Sequence, residues 1–382
     1  MIYLDSASTA KYRASIDNDI VNTIADAMIT LWENPSSLYS AYVKEEINAC
    51  RENVAEFIGA KPNEIIFTSG ASESNNLAIR GWVDHMLMNT LQFINVITTP
   101  IEHKSTLEAV KNGALGARVY HCNVDKFGFV DYKSLEHLLL MCQEEPVLVS
   151  VYMGQNEIGT LNDIKKISDL VHKYGGILHV DATQTFGHIP IDVEDLGVDM
   201  MSCSGHKISP VLKGIGFLYK KDCINIRPLI YGTQENGLRG GTENVFGIIG
   251  LAKAIKYCNF TTKIMELEDK RDYFIDMLYS KFGCKLNGHS EYRLPNNINV
   301  TFPQNITGEA LLYTLDLNNI KISVGSACNS RSIEPSYVLK EIGLSDEEAM
   351  RTVRFTLSED ITYEDIDYVI AEIEKSIKLI EA

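Results

Sequence analysis

Residues 177–207 read ILHVDATQTFGHIPIDVEDLGVDMMSCSGHK and contain two short apolar runs that each end in polar residues. The first run ends at Asp181, and the second is followed by Ser-Gly-His-Lys, whose lysine is Lys207. Neither run has the spacing of an amphipathic helix, and both have the length of a buried strand. The stretch therefore predicts two consecutive strands with Asp181 and Lys207 at their carboxyl ends.

Outside this stretch, apolar strand-like runs alternate with helical patterns along the first two thirds of the chain. The segments 63–81, 93–110 and 146–159 each read as a strand followed by a polar turn, and residues 163–175 have a helical pattern. Two helices precede them, one with the apolar stripe Ile16, Ile20, Ile24, Met28 and Leu31, and one over roughly 39–58. This alternation predicts an α/β fold whose central sheet is mostly parallel and covered by helices on both faces.

From about residue 260 the alternation loosens. A long charged helix is followed by strands at 296–302 and 320–325, and the chain closes with a helix that begins with the capping-box-like Thr-Tyr-Glu-Asp. The apolar stripe of this last helix consists of Ile366, Val369, Ile370, Ile373, Ile377 and Ile380. We expect a large domain over 16–259 and a smaller α+β domain formed by 1–15 and 260–382.

Composition excludes several classes of protein. The chain has 382 residues, 45% of them hydrophobic, and a formal net charge of -16, which argues against binding to nucleic acid or to an anionic membrane surface. Neither a signal-peptide pattern nor an apolar run long enough to span a bilayer is visible, so we expect a cytoplasmic protein. The eight cysteines form no C-x-x-C pair, so neither a disulfide framework nor a metal site is predicted, and most should be reduced and buried, Cys203 among them.

Polar residues concentrate at the predicted carboxyl ends of the strands, where ligands bind in open parallel sheets. They are Ser72, His103, Asn156, Asp181, Gln184, His206 and Lys207. The turn TSGASES at 68–74 offers small residues and backbone N–H groups at the start of a helix, which suits a phosphate group. An ordinary helix cap explains that turn equally well.

Asp181 and Lys207 together suggest a cofactor. A carboxylate at the end of an apolar strand needs a cationic partner, and a buried lysine is a good amine nucleophile. Pyridoxal phosphate satisfies both residues if its protonated pyridine nitrogen meets Asp181 and its aldehyde carbon is bonded to Lys207. A structural Asp–Lys ion pair is the alternative. His103 would stack on the cofactor ring, although a lone histidine is more often simply hydrogen-bonded.

Two residues of the carboxyl-terminal third also suggest chemistry. Cys328 lies in SVGSACNSRS, a composition typical of an exposed loop, and an exposed thiol in a reducing compartment favours a reactive role. Arg354 lies inside the apolar run TVRFTL, and an internal guanidinium there would bind a carboxylate such as that of an amino acid.

These stretches together resemble the cysteine desulfurases of the class V aminotransferase group, within the fold type I pyridoxal phosphate enzymes. The resemblance runs almost end to end, through YLDSAST, NPSS, EHKS, NEIG, HVDATQ, SGHK, LRGGTENV, RLPNNINVTF, GSACNS and VRFTL. The chain departs from the usual pattern at Asn236, where members commonly carry arginine, and at Ser6 and Ala10.

The resemblance implies roles for individual residues. Lys207 would be joined to the cofactor, His103 would stack on its ring, Asp181 would pair with the pyridine nitrogen and Gln184 would bond the phenolic oxygen. The phosphate would be held by Ala71, Ser72, Ser204 and His206, and by Thr242 of the neighbouring subunit of a homodimer. Asn156, also assigned to the cofactor site, and Arg354 would bind the substrate carboxylate.

The implied reaction removes sulfur from L-cysteine, leaving L-alanine and a persulfide on Cys328, which passes the sulfur to an acceptor protein such as an iron–sulfur scaffold or a thiolation enzyme. An aminotransferase or selenocysteine lyase of the same fold, and a non-catalytic sulfur-acceptor or scaffold protein, are the alternatives.

Overall fold

The computed structural model describes residues 1–258, 260, 262–303, 306–324 and 334–381. Its largest element is a seven-stranded sheet with the strand order β2-β8-β7-β6-β5-β3-β4. The strands are β2 Ile65–Thr68, β3 Asn95–Thr98, β4 Arg118–His121, β5 Val147–Tyr152, β6 Ile177–Asp181, β7 Met200–Ser204 and β8 Gly216–Lys220. Five adjacent strands are parallel to one another, in the order β4, β3, β5, β6 and β7. The strand β8 is antiparallel to both of its neighbours, β2 and β7.

Helices cover both faces of this sheet. They are α1 Ala14–Thr30, α2 Ala41–Phe57, α3 Ala71–Asn89, α4 Lys104–Glu108, α5 Tyr132–Met141, α6 Ile164–Lys173, α7 Val193–Leu196 and α8 Val245–Ile255. Successive residues of a strand face opposite sides, so Val149 and Val151 of β5 pack in one hydrophobic cluster while Leu148 packs in another. Burial of a strand on both faces explains why its sequence is a continuous apolar run.

The stripe predicted for α1 is wrong at one position. Met28 is 53% exposed, and Ala27 is buried in its place. A spacing of three or four residues fits the same helix face, so the sequence could not choose between the two neighbours. The helix continues its buried stripe to Leu31, which is the residue after its last turn.

The remaining strands and helices form a second layered unit. An antiparallel sheet has the order β12-β10-β9, and β1 pairs in parallel with β11. The strands are β1 Ile2–Tyr3, β9 Lys285–Leu286, β10 Asn297–Thr301, β11 Ile320–Lys321 and β12 Thr352–Thr356. The helices are α9 Thr262–Phe282, α10 Gly308–Leu317, α11 Tyr337–Glu341, α12 Asp346–Met350 and α13 Tyr363–Glu381.

The second unit has its own hydrophobic core. Ile366, Val369, Ile370 and Ile373 of α13 are fully buried in it, and the capping box is present, with the Thr362 and Asp365 side chains each accepting the other's backbone N–H. The amino-terminal Leu4 packs in this core too. The predicted domain boundaries at residues 16 and 260 stay a prediction.

The amino-terminal segment crosses between the two units. Asp5 forms a bridge with Thr356 at the end of β12, and the backbone N–H of Ala10 donates to the carbonyl of His206 beyond β7. Residues 5–10 therefore run over the carboxyl edge of the large sheet. Among the described helices, none is long and apolar enough to cross a membrane.

Candidate active site

A cavity of about 600 Å³ opens at the carboxyl ends of the central strands, between the two units. The predicted site residues that line it are Ala71, Ser72, His103, Asn156, Asp181, Gln184, Ser204, His206, Lys207 and Arg354. They come from distant parts of the chain and meet because parallel strands bring their carboxyl ends to one edge of the sheet.

Asp181 is the last residue of β6, and its carboxylate is held by three donors. Asn75 Nδ2 donates to Oδ2 at 2.9 Å, and the backbone N–H and the hydroxyl of Thr183 donate to Oδ1 at 3.0 and 2.5 Å. The side chain is largely buried but lines the cavity. These bonds fix the Asp181 carboxyl group at a position where a cationic ligand group can meet it.

Lys207 lies in a short 3₁₀ turn, Gly205–Lys207, directly after β7. Its Nζ donates to the carbonyl oxygens of Ala7 and Ser8, at 2.6 and 2.8 Å. Gln184 Nε2 donates to the same Ala7 carbonyl, at 3.0 Å. Two side chains predicted to contact the cofactor are thus positioned by the backbone of the amino-terminal segment.

The predicted phosphate turn joins β2 to the amino terminus of α3. Gly70 has φ +146°, a conformation that favours glycine, and first-turn residues of the 19-residue helix α3, whose backbone N–H groups precede the first intrahelical hydrogen bonds, line the cavity. Across the turn, Ser204 Oγ is 2.8 Å from His206 Nδ1, and burial together with the charge of Lys207 lowers the pKa of His206 to about 4. A phosphate dianion suits this set of neutral donors and helix N–H groups.

His103 precedes α4, and its ring orientation is fixed by its own turn. Nδ1 accepts the backbone N–H of Ser105 at 3.1 Å and lies 2.7 Å from the Ser105 hydroxyl. Because Asn75 Nδ2 also donates to that hydroxyl, at 2.9 Å, the hydroxyl hydrogen points to Nδ1. The neutral ring therefore carries its proton on Nε2. The side chain faces the open cavity, but partial burial still lowers the pKa of His103. The negative charge of nearby Asp181 offsets part of this shift.

Asn75 and Ser105 were missed in the sequence. Asn75 bridges Asp181 and Ser105, so one hydrogen-bonded chain connects the Asp181 carboxylate to the His103 ring. Both residues look like ordinary polar positions of a helix start, and Asn75 is fully buried only because α3 packs on the sheet. No local pattern could have identified them.

Arg354 lies at the centre of β12, as predicted, and is largely buried. Its NH1 donates to the backbone carbonyl of Asn156 at 3.0 Å, and its NH2 donates to Asp5 Oδ1 at 2.7 Å and to Ser8 Oγ at 3.1 Å. Contact with Asn156 is thus through the backbone, while the Asn156 side chain lines the cavity. Asp5 and Ser8 were also missed, because a two-residue strand such as β1 gives no periodic signal.

Thr242 and Cys328 are not among the described residues that line the cavity. Thr242 is exposed in the loop before α8 and does not line it within this single chain. Cys328 lies outside the described residues. Val324, the last described residue before it, lines the cavity.

The fold and the site define a class of protein, that of the fold type I pyridoxal phosphate enzymes. A solved structure described as a NifS-like protein matches with a TM-score of 0.89 and 32% identity over 99% of both chains. The structure described as SspA in complex with cysteine matches with a TM-score of 0.80 and 32% identity over 94% of this chain and 99% of that one. The predicted fold class is confirmed.

The family follows from the sequence comparison. The aminotransferase class-V model matches residues 2–369, and the chain belongs to that family. Cysteine desulfurase IscS of Dictyoglomus turgidum is 39% identical over 384 residues, which cover 99% of this chain and 94% of the relative. Cysteine desulfurase IscS of Methanosarcina thermophila is 39% identical over 378 residues, covering 97% and 90%. The resemblance inferred from the motifs is confirmed.

Pyridoxal phosphate is the cofactor of this family, and the residues present fit it. A fixed carboxylate at Asp181, an amine at Lys207 and a helix amino terminus behind Gly70 offer partners for its ring nitrogen, aldehyde and phosphate. The cavity is large enough for the cofactor and a small amino acid together.

Proposed function

We propose that the protein is a cysteine desulfurase, which removes sulfur from L-cysteine and leaves L-alanine and a persulfide on Cys328. The observation that carries the proposal is the convergence of Lys207, Asp181 and Arg354 on one cavity beside the phosphate turn. The names of the relatives support desulfurase activity over the alternatives considered from the sequence.

The cofactor site would be formed by the residues already described. Asp181 would face the ring nitrogen, Gln184 the phenolic oxygen and His103 the ring plane. Ala71, Ser72, Ser204 and His206 would hold the phosphate. When bound, pyridoxal phosphate supplies an aldehyde for the substrate amine and an electron-poor ring that stabilises negative charge at Cα.

The substrate carboxylate would bind Arg354 and the Asn156 side chain, which line the side of the cavity formed by β12 and the turn after β5. Lys207 would take the Cα proton on its amine, and the backbone carbonyls of Ala7 and Ser8 would orient that amine. The Cys328 thiolate would attack the substrate sulfur and form an S–S bond as the Cβ–S bond breaks; the electron pair of that bond would stay with the substrate carbons, where Cβ takes up a proton to give L-alanine.

A homodimer is part of the proposal. Thr242 would reach the phosphate of the neighbouring subunit, and its loop is linked to the segment before α2 by a hydrogen bond from Gln234 to Ser36. Next to Ser36, Leu38 and Tyr39 are 98% and 76% exposed, so this segment offers apolar surface to a second subunit. Analytical ultracentrifugation should give twice the chain mass. A cytoplasmic location and a protein sulfur acceptor complete the proposal.

Mass spectrometry after incubation with L-cysteine tests the proposed function. The peptide that contains Cys328 should gain the mass of one sulfur atom, and alanine should appear in the solution. A Cys328→Ser variant should keep the cofactor absorption but form neither product beyond background. If this variant desulfurates cysteine as fast as the parent protein, the proposal is wrong. A parent protein that binds no cofactor would favour a non-catalytic role.

A further inference from the structure

Asp5 places a carboxylate next to the arginine that would bind the substrate. Asp5 Oδ1 accepts Arg354 NH2 at 2.7 Å, and the Ser8 hydroxyl donates to the same oxygen at 2.8 Å. The side chains of Arg354 and Asp5 are only 9% and 22% exposed, so water screens this ion pair less than it screens an exposed pair. The position of Asp5 is fixed by the backbone bonds between the amino-terminal segment and β12.

The guanidinium is nevertheless not saturated. NH2 uses both of its hydrogens, on Asp5 and Ser8, and NH1 uses one, on the Asn156 carbonyl. Nε is buried and lacks a hydrogen-bond partner among the described residues. NH1 keeps a second hydrogen, so the Arg354 side chain, which lines the cavity, still has a donor for a ligand there.

We propose that Asp5 sets the net charge of this subsite so that it selects an amino acid over a simple carboxylic acid. The inference rests on the proposed function. Arg354 and Asp5 together are neutral, so a bound carboxylate adds an uncompensated negative charge close to Asp5. An amino acid brings an ammonium group as well and leaves the whole set neutral.

The expected change in ligand affinity follows from the distance between the two carboxylates. Two carboxylates on one guanidinium are about 5–6 Å apart, and at that distance an effective dielectric constant of about 40 gives a repulsion that corresponds to about tenfold in affinity. Removing the Asp5 charge should therefore favour an anionic ligand by about tenfold. Asp5→Asn is suited to the measurement because its amide oxygen can still accept the Arg354 N–H, which keeps the guanidinium oriented.

Calorimetric titration of the cofactor-loaded protein with 3-mercaptopropionate tests the inference. This probe carries the thiol and carboxylate of cysteine without the amino group. Asp5→Asn should bind it about tenfold more tightly than the parent, while affinity for L-alanine should change less than threefold. Asp169→Asn removes a carboxylate that pairs with Lys165 at an exposed position of α6, so it controls for the loss of one negative charge as such. It should leave the affinity for 3-mercaptopropionate within threefold.

Unchanged or weaker binding of 3-mercaptopropionate to Asp5→Asn would overturn the inference. If Asp5→Asn does not fold, a comparison of two ligands on the parent protein still tests the inference. Because Asp5 offsets the Arg354 charge, 3-mercaptopropionate should bind less than threefold more tightly than its neutral amide, and a preference above tenfold would overturn the inference. None of these titrations needs turnover, so cysteine turnover by the same preparation reports separately on the proposed function.

Discussion

His179 should make the protein lose stability on mild acidification. It lies in β6 two residues before Asp181, is fully buried, and bridges Ser150 Oγ at 2.8 Å and Ser202 Oγ at 2.9 Å on the flanking strands. Burial lowers the pKa of His179 to about 4, although the negative charge of Asp181 opposes the shift. An imidazole bonded to two serines in the core therefore stays neutral at physiological pH.

The direction and the size of the stability change with pH follow from this lowered pKa. The pKa of an unfolded histidine is about 6.5, so below that pH the unfolded chain binds a proton that the folded chain does not. The contribution of neutral His179 to the free energy of unfolding is thus fully present above about pH 6.5 and is lost as the pH falls towards 4. Between pH 7.5 and pH 5.5, the contribution of His179 to the free energy of unfolding should fall by about 1.3 kcal/mol.

Urea unfolding of the parent protein and of His179→Gln at pH 7.5, 6.5 and 5.5 measures this contribution. Glutamine retains one donor and one acceptor but does not titrate, so the variant should be less stable by about 1 kcal/mol at pH 7.5. On going to pH 5.5 it should lose about 1.3 kcal/mol less than the parent. His137→Gln, at an exposed position on α5, controls for the loss of a histidine as such. Equal losses in the parent and in His179→Gln would refute the reasoning.

Three further predictions concern other parts of the molecule. Glu235→Gln should lower the free energy of unfolding by about 3 kcal/mol in urea, because Arg51, which Glu235 binds through two hydrogen bonds of 2.8 Å, would keep a buried charge without its partner. A loss below 1 kcal/mol would contradict this. Iodoacetamide at pH 8 should modify exposed Cys223 but not Cys203, since burial raises the pKa of the Cys203 thiol well above its usual value. Peptide mapping checks this, and equal labelling would count against it. Asp181→Asn should lower cysteine turnover about 100-fold and weaken cofactor retention on dialysis; turnover within threefold of the parent would exclude the assigned role.

The class of fold could be predicted from the sequence because it depends on local patterns. Buried strands such as β5 and β6 are continuous apolar runs, and their alternation with helices leaves a parallel sheet as the natural arrangement. The position of β8, antiparallel between β2 and β7, was not predictable in the same way. Pairing of β8 with both neighbours depends on contacts between residues far apart in the chain.

In the candidate site, too, some features could be predicted from the sequence and others could not. Asp181, Lys207, His103 and Arg354 could be found because a polar residue that ends or interrupts an apolar run stands out locally. The ring tautomer of His103 could not, because it depends on Ser105 and on Asn75 of another helix.

The sequence by itself determined the α/β architecture, the strand-end position of the charged residues and the family, all of which are encoded in short segments read in order. Only the tertiary structure decided that Asp5 pairs with Arg354 and that the Ala7 and Ser8 carbonyls accept from Lys207. These contacts join residues 199 to 349 positions apart in the chain. Their geometry is set by the backbone bonds that hold the amino-terminal segment between β12 and the turn after β7, which no local pattern of residues encodes.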